Sequence, residues 1–207
     1  MKRSFLILIV ALAFGFILPV TSFASTDSGH TSEEKYKEEL SNLTQEEIHE
    51  NFQRIDEEYD IGEEFSLKDQ TFIKMYAKPV DSKVSVLKSK KISGSKTQNG
   101  VTVKVSGTIK DDIQNVINQS FGASNLKTST TKGASKVSSV KTTVHHNAYG
   151  LVGSGGIGKV YSGTLSTSGK NSTLNGTKRY TAVVAYASTW ATATVKHSGG
   201  TFTVNPK

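Results

Sequence analysis

The sequence predicts an α+β protein: a short acidic helical N-terminal region followed by a mostly antiparallel β-sandwich or open barrel. Three observations carry this prediction. Two capping-box patterns stand ahead of apolar residues at helical spacing. From Lys83 onward, apolar residues alternate with Ser, Thr and Lys at a period of two. The charge changes sign where the pattern changes. Between Ser25 and Asp69 there are 15 acidic and 4 basic side chains, a net of −11, and from Gln70 to Lys207 there are 3 acidic and 19 basic, a net of +16.

The first residues read as a leader rather than as part of the fold. Lys2 and Arg3 precede an apolar run from Phe5 to Leu18, Pro19 breaks it, and Ser22-Phe23-Ala24 offers small residues for cleavage. The run is shorter than the roughly 20 residues a membrane span needs. The expected layout is therefore a signal peptide at 1–24, an acidic helical segment at 25–80 and a basic Ser/Thr/Gly-rich β domain at 81–207. No second apolar run follows, so the mature chain is expected to lack a transmembrane segment and to be secreted, extracellular or cell-surface associated. The chain has no cysteine, so its stability must come from its own core.

In the acidic segment, Thr31-Ser-Glu-Glu34 and Thr44-Gln-Glu-Glu47 each place a hydroxyl three residues ahead of a glutamate. The hydroxyl can accept from a first-turn amide and the glutamate can reach back to the cap. Ile48, Phe52 and Ile55 then form one apolar stripe. Ser66-Leu-Lys-Asp69 opens a third helix in which Phe72, Ile73 and Tyr76 share a face, and Pro79 ends it. Such short, narrow helices are marginal alone. They are expected to dock on the basic domain, drawn by opposite charge.

In the basic domain, Val101, Val103 and Val105 alternate with Thr102, Lys104 and Ser106. Val140, Thr142, Val144, His146 and Ala148 share one side of a long strand. Tyr180 to Tyr186 alternates on both faces and reads as a central strand. Ala191, Ala193 and Val195 repeat the pattern, and Phe202 with Val204 forms a closing strand. Asn99-Gly100 and His197 to Gly200 read as hairpin turns. Ser93-Gly94-Ser95, Gly153 to Gly158 and Ser168 to Gly176 read as separators. Asp111-Asp112, with Ile113, Val116 and Ile117, reads as the acidic start of a short helix.

Gly153, Gly155 and Gly158 satisfy the spacing of a dinucleotide-binding loop. That loop must lead into a helix and be followed about 20 residues later by an acid. Here a strand pattern follows, and no acidic residue occurs after Asp112. No cofactor is expected, and Gly153 to Gly158 reads as a hairpin loop or bulge. The same lack of acid leaves His145, His146 and His197 without a downstream carboxylate to orient an imidazole. His145 and His146, adjacent on a strand, point to opposite faces and would not share a metal ion. The sequence reads as a non-enzyme.

Ninety-five residues after Asp112 carry ten Lys and Arg and no carboxylate side chain. The expected function is non-enzymatic binding of an anionic surface or polymer (cell wall, acidic polysaccharide or extracellular nucleic acid) through the basic β domain. Lys136, Lys141, Lys159, Lys178, Arg179 and Lys196 are the candidate anion-binding residues, and Tyr149, Tyr161, Tyr180, Tyr186 and Trp190 are candidate stacking faces. The alternative is an antibacterial or membrane-active factor whose acidic helices mask the cationic part.

Overall fold

In a computed structural model the described residues are 31–80, 88–113 and 119–207. The expected leader lies outside them. Residues 31–207 form one compact unit of three helices and two antiparallel sheets.

All three helices begin at the caps the sequence marks. In α1 (Ser32–Leu40) and α2 (Gln45–Glu58), Thr31 and Thr44 complete reciprocal capping boxes with Glu34 and Glu47. Ser66 caps α3 (Leu67–Tyr76). The link between α2 and α3 is polar as well as apolar. The buried Asp69 carboxylate accepts from Arg54, from the Tyr59 hydroxyl at 2.8 Å and from the Ser66 hydroxyl at 2.8 Å. Burial alone would raise its pKa, but these donors hold it below the ordinary carboxylate value.

Sheet I has the order β1-β8-β5-β6, with β9 also on β8: β1 (Lys78–Pro79), β5 (Val137–Val152), β6 (Gly156–Ser168), β8 (Tyr186–His197) and β9 (Gly200–Val204). Sheet II has the order β2-β3-β4-β7: β2 (Lys88–Gln98), β3 (Val101–Asp112), β4 (Gln119–Lys132) and β7 (Asn171–Tyr180). The strands do not close into a barrel. Both sheets contribute to one core, Val101, Val103, Val105, Phe121 and Leu126 from sheet II meeting Val140, Val144, Ala191 and Val195 from sheet I. The opposite face of sheet I carries the helices. There Phe52, Ile55, Phe65, Phe72 and Ile73 pack with Tyr149 and Ile157, with Tyr186 and Trp190 at the margin.

The expected turns form. Asn99 (φ 50°) and Gly100 (φ 77°) connect β2 to β3, matching the doubly positive φ of a tight hairpin turn. Gly153 to Gly155 turn β5 into β6, and Gly158 lies inside β6 rather than ahead of a helix. Ser198-Gly199 joins β8 to β9.

Four elements differ from the sequence-based expectation. Ser93-Gly94-Ser95 lies within β2, where small residues fit the approach of the C-terminal tail: a Cβ on Gly94 would stand 2.8 Å from Pro206 Cα. Asp111 and Asp112 end β3 instead of opening a helix, while Val116 and Ile117 lie outside the described residues. Asn171 to Gly176 belongs to β7, leaving Gly169-Lys170 as the connection from β6. Tyr180 to Tyr186 is not a central strand but the crossing from sheet II to sheet I. Its alternation comes from Val184 and Ala182 packing on the core while Val183 stays exposed, with Gln119 Nε2 donating to the Ala182 carbonyl at 2.6 Å. Pairing with sheet I also starts before position 81, since Lys78 and Pro79 already lie against β8. Proline is tolerated there because β1 is an edge.

Docking of the helices rests on aromatic packing more than on charge. Among the described residues the acids of the helices pair mostly within the helical layer: Glu33 with Lys37 and Lys74, Glu39 with Lys68, Glu58 and Asp69 with Arg54. Asp56 supplies the main ionic link to the sheet, through Lys159.

Candidate anion-binding surface

The candidate cations are scattered by the fold. Lys136 ends a single 3-10 turn (Ala134–Lys136), its Nζ 3.4 Å from the Asn99 carbonyl. Lys141 and Lys196 stand exposed on neighbouring strands of sheet I, opposite Thr194 and Ser139 respectively, and share its helix-side face. Lys178 and Arg179 are exposed on β7, the far edge of sheet II. Lys159 is a correction. Its side chain is 5% exposed, and its ammonium donates to the Asp56 main-chain carbonyl at 2.7 Å and carboxylate at 3.3 Å. Burial beneath α2 removes it from any surface that could meet a polymer.

The candidate stacking residues are also occupied. Trp190 lies between two rings, parallel to His145 (5.2 Å, 6°) and to Phe52 (6.0 Å, 21°). Tyr161 and Tyr180 stack on each other at 3.9 Å. Tyr149 is fully buried, with its hydroxyl 2.9 Å from the Ser188 hydroxyl. Tyr186 packs against the helix-side core. Each of these rings is engaged by its neighbours, Tyr149 fully buried and Tyr161, Tyr186 and Trp190 half-buried.

The two adjacent histidines point to opposite faces, as strand geometry requires. His145 faces the helices, 3.1 Å from the Thr192 hydroxyl. His146 faces the inter-sheet core, parallel to Phe121 at 4.8 Å, between the hydroxyls of Thr189 (2.7 Å) and Tyr180 (2.8 Å). Two hydroxyls satisfy a neutral imidazole, which has one donor and one acceptor, and burial pushes its pKa down to about 3. Thr189 in turn donates to Asp111 at 3.3 Å. Among the described residues no group of three or more His, Asp or Glu side chains could hold a metal ion.

The outer face of sheet II is an open polar surface. Inward positions are fixed by the buried Val101, Val103, Val105, Phe121 and Leu174, so the intervening residues face out. Ser93, Ser106, Lys127 and Thr173 stand in one row across the four strands, and Ser95, Lys104, Ser129 and Asn171 stand in the next. Rows of this kind repeat every ~7 Å along the strands and ~4.8 Å across them. Lys91, Lys104, Lys110, Lys127 and Arg179 bring positive charge to this face, and Asp112 at one end brings the carboxylate. The helices pack on sheet I, and Lys91, Lys104, Lys127 and Arg179 are exposed while Lys110 is half-buried.

Of the sequence candidates only Arg179 belongs to this field. The signal for the others was present: Lys91, Lys104, Lys110 and Lys127 occupy the polar phase of alternating strands. Only register shows that they share one face. Compared with known proteins, the chain matches no family model, no curated protein and no solved structure.

Proposed function

We propose that this is a secreted, non-enzymatic binding protein whose basic β-sandwich engages an anionic cell-wall polymer or acidic polysaccharide at the cell surface. The observation that supports it is the outer face of sheet II, where hydroxyls are interspersed with Lys91, Lys104, Lys110, Lys127 and Arg179 and, among the described residues, Asp112 stands at one end. Ammonium and guanidinium groups attract phosphate or carboxylate repeats, while Ser, Thr and Asn can exchange hydrogen bonds with a polymer backbone. Extracellular nucleic acid is less well served, because single-strand binding draws on base stacking and the candidate rings are taken. The masking alternative gains little from the arrangement, since the acidic helices lie on sheet I and the cations of sheet II stay open.

The test is elution of the full mature chain and of K91Q/K104Q/K127Q from immobilised heparin and from purified cell walls. The reading expects retention that weakens with salt, and elution of the variant at clearly lower salt. Retention that is insensitive to salt, or identical in the variant, would overturn it.

A further inference from the structure

The edge strand β2 carries a second feature, on its inner side. Residues directly opposite on antiparallel strands share a face. Lys90 stands opposite Ile109 and Lys96 opposite Val103, and both partners are buried in the inter-sheet core. Lys90 and Lys96 therefore occupy inward positions, and Lys88, at the same phase, faces Asp111. Inward lysines on an edge strand can serve simply to block sheet-to-sheet association. That role needs no opposing wall. Here there is one: a cavity of ≈ 670 Å³ separates these lysines from α2, the start of β8 and the end of β9.

The cavity has the makings of a ligand site. Its volume falls within the range of about 300–1,000 Å³ typical of small-molecule pockets. Ile109, Ala187 and Val204 supply an apolar floor, and Ser188 and Thr189 bring hydroxyls. Five lysines (78, 88, 90, 96 and 207) line it against two acidic side chains, Glu46 and Asp111. Asp111 is engaged by Lys78 Nζ at 3.3 Å and by the Thr189 hydroxyl at 3.3 Å. Lys88, Lys90 and Lys96 converge from β2 and Lys207 from the tail, so lysines outnumber the acidic side chains of the lining. The tail ties the two walls together, since Ser93 and Lys207 exchange main-chain hydrogen bonds of 2.9 and 3.1 Å.

We propose that this cleft binds a compact organic anion carrying two or more phosphate or carboxylate groups, held by Lys88, Lys90 and Lys96. The site is distinct from the outer face of sheet II and does not rest on the polymer-binding reading. Lys88 and Lys90 project from alternate positions about 7 Å apart along the strand, a separation that favours a ligand with two anionic groups over one with a single charge.

Inorganic pyrophosphate is the probe, titrated calorimetrically into the full mature chain at low salt, with inorganic phosphate for comparison. The expected result is saturable one-to-one binding, at least tenfold tighter for pyrophosphate. K88Q/K90Q should weaken it tenfold or more, K88R/K90R should restore it to within about threefold, and K91Q/K104Q/K127Q should leave it unchanged. Absence of saturable binding would overturn the site, as would equal weakening by the outer-face variant. Amide shifts on the unaltered protein give a second readout: pyrophosphate should move Lys88, Lys90 and Thr189, and shifts confined to the outer face would contradict the proposal. Heparin retention of K88Q/K90Q should stay near wild type, so the two readings fail separately.

Discussion

Lys159 on β6 reaches under α2 and donates to both the main-chain carbonyl and the carboxylate of Asp56, while Ser162 adds a 3.0 Å hydrogen bond to the same carboxylate. A buried cation is thereby matched at a helix–sheet contact. Asp56→Ala would leave the ammonium buried with one acceptor and should cost about 2–3 kcal/mol, whereas Lys159→Met removes the charge itself and should cost about 1 kcal/mol or less. Urea denaturation of both single variants and the double variant should give a coupling energy above about 1 kcal/mol. Lys159→Met should leave heparin elution unchanged.

The helical layer is held mainly by rings. Phe52 meets Phe72 edge-to-face at 4.9 Å and stacks on Trp190 at 6.0 Å, and Phe72 is 1% exposed. Phe52→Ala should cost about 3 kcal/mol and speed amide exchange throughout α2. Raising salt to about 1 M, where screening acts within about 3 Å, should leave α2 protection nearly unchanged. Loss of that protection in salt would return the docking to long-range charge attraction.

Acid should weaken the fold through its buried imidazoles. An unfolded histidine takes a proton near its ordinary value of 6.5, but burial pushes His146 down to about 3. Between those values the unfolded chain binds the additional proton, so stability is intact above about pH 6.5 and falls as the pH drops toward 3, by at most about 1.4 kcal/mol per pH unit for this residue. His145 and His49 are shifted in the same direction by burial and steepen the loss. An NMR titration should find the His146 ring still neutral at pH 5, and a charged ring at that pH would contradict the assignment.

Gly158 marks a close backbone approach. A Cβ there would stand 2.1 Å from the Glu63 carbonyl oxygen and 2.4 Å from Val152 Cγ2. The linker between α2 and α3 lies directly over β6, with Gly62 N donating to Lys159 O at 2.8 Å and Phe65 N to Ile157 O at 3.0 Å. Gly158→Ala must displace backbone and should cost about 2 kcal/mol or more, read as a lower denaturation midpoint.

This glycine also shows where sequence reasoning succeeds and where it stops. That Gly158 does not belong to a phosphate loop was legible, because a strand pattern follows it. That it makes room for the α2–α3 linker was not, because the linker lies nearly a hundred positions earlier in the chain. The helix caps and the Asn99-Gly100 turn were legible for the same reason: their chemistry is local. Strand β4 is not legible from alternation, since Gly122 and a bulge at Asn125 (φ 51°) break it. The crossing from Tyr180 to Tyr186 imitates a strand because its alternate residues touch a core that it does not extend. The gathering of Lys91, Lys104 and Lys127 on one face depends on the pairing of three strands, and no local window contains that register.

The most direct test of the central claim is the salt dependence of heparin affinity for the wild type and K91Q/K104Q/K127Q. Electrostatic binding to a polyanion gives a linear fall of log K with log salt, with a slope of about −0.7 to −0.9 per neutralised anionic group. The account predicts a clear negative slope for the wild type that becomes shallower by about two to three in the variant. Parallel slopes, or a flat wild-type line, would contradict it.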